Sequence, residues 1–320
     1  MARPVFVLGG GSNLLVSDQG FDGLVVRFVD QTIRIEDDDG QSAVYRVGAG
    51  VDWDDFVAQT VGDGFAGLEC LSGIPGRVGA VPVQNVGAYG QEVAETIEAV
   101  HAVNLETGET VRLNGGACGF AYRQSRFKSD WRGRYLITEV EFQLSRSNQG
   151  TLKYEELRRR FDLADGGPAP SPGAIRSEVL AVRRGKSMVI DASDPNRRSV
   201  GSFFVNPVVE PDVADHAEEL AQSREPGKPM PRYPAPGHKV KMSAAWLIER
   251  AGFERGYVMG PAGLSTRHTL ALINRGGARA GDILALARRI RTTVQARFGI
   301  VLVPEPVFLG FDVDHHGILE

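Results

Sequence analysis

Apolar residues recur along the chain with two periods, and the changes of period mark its elements. Short β-branched runs bounded by Gly or Asp, at 4–8, 23–28, 32–36 and 44–47, predict strands. Asp52 then caps a helix carrying Trp53, Phe56, Val57 and Val61 at helical spacing. Runs 97–105 and 109–113 flank Glu106-Thr107-Gly108 and predict a hairpin, and 135–144 alternates apolar and polar residues as a further strand. Residues 165–173 read as a loop, after which Ser171 as N-cap and Pro172 at the first helical position open a helix running to about Arg184.

The polar, turn-forming stretch 193–198 is the candidate domain junction. Beyond it the pattern predicts strands at 202–205 and 269–273 and helices at 243–251 and 282–298. The last helix turns Ile283, Leu286, Ala287, Ile290, Val294 and Phe298 to one side and stops at Gly299. A final strand, 300–311, is interrupted by Pro304-Glu305-Pro306. There are no internal repeats. The chain reads as α+β, in two lobes, the first of them mixed and rich in glycine.

Composition sharpens this picture at one point. There are 39 glycines in 320 residues, about 12%, against a usual ~7%. With 17 prolines and no G-X-Y period, the excess belongs in turns and close backbone approaches rather than in collagen. A net charge of −4 offers no overall basic field for nucleic acid, and the clusters Arg158-Arg159-Arg160 and Arg288-Arg289-Ile290-Arg291 read as solvated helix faces. The two cysteines, Cys70 and Cys118, fit a reducing compartment and exclude a disulfide framework. No apolar run reaches the ~18 residues of a membrane span, and Gly9-Gly10-Gly11 interrupts the apolar start, so a cytoplasmic protein is expected. No spacing matches zinc ligands; His315-His316 reads as a solvated tail, and Cys118 has no evident histidine partner, so no metal site is expected.

Two glycine-rich loops could carry chemistry. Gly9-Gly10-Gly11-Ser12-Asn13 follows a strand directly, and Ser72-Gly73-Ile74-Pro75-Gly76-Arg77-Val78-Gly79 runs on to Gln84-Asn85-Val86-Gly87-Ala88-Tyr89-Gly90. Neither is a phosphate loop, lacking Lys-Ser/Thr, and neither has the acidic residue of a dinucleotide fingerprint. Successive glycines can aim several N–H groups at one anion, so two such loops in one lobe favour a bound pyrophosphate over two plain turns.

The ordered series LGGGSNLLV, LSGIPGRVGAVPVQNVGAYG, YRQSRFK, VGSFFVNPVV and PEPVFLG resembles the UDP-N-acetylenolpyruvoylglucosamine reductase (MurB) family from Val5 to about Phe311. The resemblance implies a vanillyl-alcohol-oxidase-type FAD-binding lobe plus a smaller α+β substrate-binding lobe. The expected divisions are 1–192 for the flavin lobe, 193–303 for the substrate lobe and 304–320 for a returning strand and tail. The family carries a further segment ahead of the first strand, so part of the flavin lobe is expected to be missing from this sequence. The Q-N-x-G-A-Y-G and Y-R-x-S-x-F-K forms are similar to the type I branch, which adds a tyrosine loop.

The implied reaction takes hydride from NADPH through FAD to the enolpyruvyl group of UDP-N-acetylglucosamine enolpyruvate, in peptidoglycan precursor synthesis. The resemblance makes Arg123 the contact to the substrate carboxylate, Glu305 the group that stabilises the enol form and Ser202 the proton donor to C2. It puts FAD against Gly9, Gly10, Gly11, Ser12, Asn13, Ser72, Gly73, Ile74, Pro75, Gly76, Val78, Gly79, Asn85, Gly87, Ala88 and Tyr89. Tyr122, Tyr154, Lys186, Asn206 and His268 are the implied substrate contacts, Tyr154 and Lys186 at the diphosphate. A monomer with no nucleic-acid or membrane partner is expected. Two other readings stand beside this one: a related FAD-dependent oxidase, and a nucleotide-sugar-binding protein whose flavin lobe has degenerated.

Overall fold

The computed structural model describes residues 3–163, 167–223, 227, 229–230 and 231–311. The His315-His316 pair and the start of the predicted 165–173 loop lie outside the described residues. The chain folds as two compact units, one comprising residues 1–11 and 23–190, the other 12–22 and 191–320.

The first unit is built on an antiparallel sheet in which Thr110–Asn114, Ile97–Asn104, Tyr135–Arg146, Ser42–Gly48 and Ile33–Asp38 lie side by side. The predicted hairpin and the alternating strand are its first three members. Helix α1 (Trp53–Gly62) begins where Asp52 accepts the N–H groups of Asp54 and Asp55, and it buries Trp53, Phe56 and Val57. Phe56 meets Phe142 of the sheet at 5.0 Å and Tyr45 at 5.8 Å between ring centroids, so aromatic packing fixes the helix on the strands. Helix α2 (Glu155–Arg160) is a short turn that the sequence pattern missed. Helix α3 (Pro172–Gly185) starts as predicted, with Ser171 Oγ accepting from Ala174 N–H and Pro172 in its first turn. Ile175, Val179 and Val182 of α3 form a small core with Leu152, Leu157 and Cys70. A separate parallel pair, Val5–Val7 with Leu24–Val26, carries the chain into the first glycine loop.

The second unit packs helices α4 (Pro211–Gln222), α5 (Ala244–Arg250) and α6 (Ala280–Phe298) with short sheets around Phe203, Phe204, Trp246, Leu286, Ile290 and Val294. The predicted face of α6 is the buried one, and Gly299 ends it at φ +69°. One sheet joins Val258–Met259, Ala262–Leu264 and Leu272–Asn274; another joins Val208–Val209, Val240–Met242 and Arg232–Pro234. Leu14–Val16, which the sequence pattern did not predict, pairs in parallel with Val307–Leu309.

Two predicted strands are corrected. Residues 202–205 form no strand and make only the single bridge Phe204 to Pro304, and the final strand shrinks from 300–311 to Val307–Leu309. Pro304 and Pro306 have no N–H to give, so a continuous ladder between these segments is impossible.

Candidate functional site

The second unit brings together Ser202, Glu305 and Asn13. Phe203 N–H donates to Leu270 O (2.8 Å), while Phe203 O accepts from Glu305 N–H (2.9 Å). Ser202 therefore precedes a residue clamped on both sides, and Gly201 at φ +76° makes the turn that enters it. Val205 N–H donates to Val303 O (2.9 Å), and Val307 N–H to Asn13 O (3.0 Å). Asn13 Nδ2 donates to Glu305 O (3.3 Å), so the Glu305 backbone is bonded from two directions while the prolines on either side restrict its torsions. Half-buried Glu305 is thus presented on a stiff segment beside the Ser202 segment.

His268 is half-buried in the turn ahead of Leu272–Asn274, and its O accepts from the N–H of Ala271, the residue just before the strand. The same turn supplies the Leu270 carbonyl that holds Phe203. Asn206 points its Oδ1 at Ala244 N–H (2.9 Å), the start of α5, where Ser243 Oγ caps Trp246 N–H. Its Nδ2 is not committed in that bond, so this side chain both fixes a helix start and retains a donor.

In the first unit the two glycine loops meet. A Cβ on Gly10 would lie 2.9 Å from Gly76 Cα, and one on Gly79 would lie 2.6 Å from Ala49 Cβ. Gly9, Gly10 and Gly11 belong to this unit, whereas Ser12 and Asn13 belong to the other. Gly73 N–H donates to Asp54 Oδ1 (2.6 Å), which pins Ser72-Gly73-Ile74-Pro75 to α1. Ser72 is buried with its Oγ donating to Glu69 O. Val78 is buried in the core, and its N–H donates to Val51 O.

The 84–90 segment is shaped by strained backbone: Asn85 and Tyr89 sit at φ +45° and +49°, and Arg123 at +55°. Asn85 is buried, donating from Nδ2 to Ala121 O (3.0 Å) and Glu92 Oε2 (2.7 Å) and accepting from Ala94 N–H. Arg123 Nη2 donates to Gly87 O (2.7 Å), Lys128 Nζ donates to Arg123 O (3.0 Å), and the Arg123 guanidinium lies 5.3 Å from the Tyr122 ring. The Y-R-x-S-x-F-K motif thereby locks its own arginine against the Gly87-Ala88 turn.

Tyr154 makes an edge-on ring contact with Tyr89 (centroids 5.6 Å apart), bringing a substrate-assigned and a cofactor-assigned residue together. Burial raises the Tyr89 phenol above its ordinary value, with Arg183 opposing that shift. Lys186 is paired with both carboxylate oxygens of Glu156 at 3.0 Å, a partner that sequence reasoning did not foresee. It also missed Arg183, whose Nε is shut off from solvent with no partner among the described residues.

The thiols take no part. Burial pushes Cys118 up to about 11 and Cys70 up to about 12, so neither offers a thiolate at neutral pH. Among the described residues no group of three or more His, Cys, Asp or Glu is placed to hold a metal ion. No described helix is long and apolar enough to cross a membrane.

Close glycine–backbone contacts, paired glycine-rich loops and an arginine Nε closed to solvent suit a dinucleotide cofactor, so the residues present fit FAD. Comparison with known proteins points the same way. Residues 2–114 match the family described as FAD binding domain, and residues 194–309 match UDP-N-acetylenolpyruvoylglucosamine reductase, C-terminal domain. The reductase of that name from Thermobifida fusca is 48% identical over 309 residues, covering 96% of this chain and 86% of that one. The Mycobacterium avium reductase is 46% identical over 319 residues, covering 96% and 82%. The crystal structure of UDP-N-acetylenolpyruvylglucosamine reductase (MurB) from Thermus caldophilus aligns with a TM-score of 0.63 at 27% identity, over 96% of this chain and 86% of that one.

Proposed function

Because the chain belongs to the UDP-N-acetylenolpyruvoylglucosamine reductase family, we propose that it reduces UDP-N-acetylglucosamine enolpyruvate to UDP-N-acetylmuramate. NADPH is the reductant, and the product is a precursor of peptidoglycan. When bound, FAD supplies the hydride that reaches C3 of the enolpyruvyl group. The glycine loops around Gly10 and Gly76, the turn Asn85–Gly87–Ala88–Tyr89, and Ser12 and Asn13 are the residues assigned to hold it. The flavin lobe is assigned to 1–192 and the substrate lobe to 193–303, with Glu305 on the returning segment 304–320.

Hydride arrival at C3 leaves negative charge on C2 and the adjoining carboxylate. Arg123 meets that carboxylate with a fork of two N–H donors whose charge does not titrate. Glu305 stabilises the enol form of the substrate, and Ser202 gives its hydroxyl proton to C2. A hydroxyl is a weak acid, but the carbanionic carbon is a strong base, so the transfer is downhill. Tyr122, Asn206 and His268 orient the sugar nucleotide. Tyr154 and Lys186 take the diphosphate, for which Lys186 must exchange its Glu156 partner. The observation that carries the reading is the bond from Glu305 N–H to Phe203 O, which fixes the enol-stabilising carboxyl beside the serine segment. An oxidase has no enolate to trap and no need of that pair. We place the reaction in the cytoplasm and assign it to a monomer.

The reading is tested by an anaerobic two-step titration of the FAD-loaded protein. NADPH is expected to bleach the flavin, and UDP-N-acetylglucosamine enolpyruvate to restore its colour. A protein that binds the sugar nucleotide but no flavin would instead be the degenerate binding form.

A further inference from the structure

Glu69 is fully buried, yet it carries a carboxylate. A carboxylate so placed is costly unless hydrogen bonds meet its oxygens. The backbone supplies them: Oε2 accepts from Gly67 N–H (2.7 Å), and Oε1 from Thr151 N–H (2.6 Å), a donor 82 residues further along the chain. Gly150 leaves room for this approach, since a Cβ there would lie 2.9 Å from the same Oε1. The next residue adds a second contact, Cys70 Sγ donating to Thr151 O (3.4 Å). Thr151 is thus held through both its N–H and its C=O, shortly ahead of Tyr154. Between them Leu152 is buried in the small core with Leu157 and Ile175, and Tyr154 rests against the Tyr89 ring.

The backbone of the same short turn holds the segments assigned to FAD. Glu69 O accepts from Ser72 Oγ (2.6 Å) at the start of the second glycine loop. Cys70 N–H donates to Gln91 Oε1 (2.8 Å), and Gln91 pairs with Ala88 of the 84–90 segment. We propose that Glu69 is a positioning residue for substrate binding, its carboxylate setting where residues 151–154 present Tyr154 against the loops that the turn's backbone holds. The task calls for a carboxylate because two separate N–H groups each need an oxygen; an amide would turn its own NH2 towards one of them. The inference rests on the assignment of Tyr154 to the substrate diphosphate.

The test is a double-mutant cycle of Glu69→Gln and Tyr154→Ala in the full chain loaded with FAD. Titrating the oxidised flavin spectrum with UDP-N-acetylglucosamine enolpyruvate gives the substrate Kd of the loaded protein without turnover. Glu69→Gln is expected to raise that Kd at least about threefold, and to add nothing further once Tyr154 is alanine, because residues acting through one contact are not additive. Gly150→Ala, which crowds the same oxygen and leaves the charge in place, is expected to do likewise. If Glu69→Gln does not fold, Gly150→Ala takes its place in the cycle. A loss of stability or of flavin with the substrate Kd unchanged would make Glu69 a packing residue and overturn the proposal. An equal rise in both backgrounds would overturn it too, since the effect would then bypass Tyr154. A Tyr154→Ala variant with unchanged Kd would overturn the diphosphate assignment and the proposal with it, a result visible before Glu69 is altered.

Discussion

The side chains that matter here are held by their backbones more than by their neighbours' side chains. Ser202 follows a positive-φ glycine and precedes a phenylalanine bonded through both N–H and C=O, so the backbone that carries its hydroxyl is held on both sides. Ser202→Ala is expected to slow reoxidation of reduced flavin by substrate by a factor on the order of 10²–10⁴ while leaving reduction by NADPH nearly intact. Stopped-flow absorbance separates the two halves, and equal slowing of both would remove the proton-donor role. Arg123 shows the same principle, combining φ +55° with a bond from Nη2 to Gly87 O. Arg123→Lys keeps the charge but loses the fork and that bond, so kcat/KM is expected to fall at least about tenfold. Unchanged turnover would count against the carboxylate role. The sequence could single out these two as candidates because their motifs are contiguous. Arg183 and the Lys186–Glu156 pair were not legible, since a guanidinium's burial and a lysine's partner depend on what the fold packs beside them.

Between elements, close approach replaces side-chain contact. The first glycine loop touches the second with so little space that a methyl at Gly10 would meet Gly76 Cα at 2.9 Å. Gly10→Ala is therefore expected to lower the flavin retained per protein, read as the ratio of visible to ultraviolet absorbance, with circular dichroism unchanged. A fully yellow variant would show that the loops have room to spare. Asp54 links α1 to the second glycine loop and to α3, through Gly73 N–H and Arg176. Burial alone would raise its carboxyl, but the bonds from Arg176 and Gly73 outweigh it and hold the group below the ordinary aspartate value. The contribution is therefore fully present above that ordinary value and fades as pH falls through the depressed one. Asp54→Asn is expected to cost about 1–3 kcal/mol near neutrality and to cost less at pH values below the depressed pKa. Denaturant melts at several pH values would show it; a pH-independent loss would contradict the ion-pair account.

Across the whole molecule, long periodic elements were the readable part, except for α4, whose twelve residues the sequence pattern did not predict. The hairpin, the alternating strand and α6 each turn one face towards a core, so their periods survive in the sequence. Short elements were lost: Leu14–Val16 has three residues, and α2 has six. Such lengths carry too few residues to establish a period, and their structure comes from pairing with distant segments. The same cause explains the overextended final strand, where apolar residues continue past prolines that end the ladder.

The pairing of Leu14–Val16 with Val307–Leu309 has an outcome for how this protein is made. Asp18 supports it by accepting from Ala280 N–H (3.0 Å) at the first turn of α6. A ribosome delivers residues 12–22 well before their partners at 307–309, so the second unit cannot close while the segment between them is being made. Residues 191–320 expressed alone would lack a strand and a helix cap, whereas adding residues 12–22 as a separate peptide should restore cooperative melting. Until residues 307–309 have emerged, Leu15 lacks its strand partner Phe308, and the apolar side it turns to the second unit's core stays uncovered.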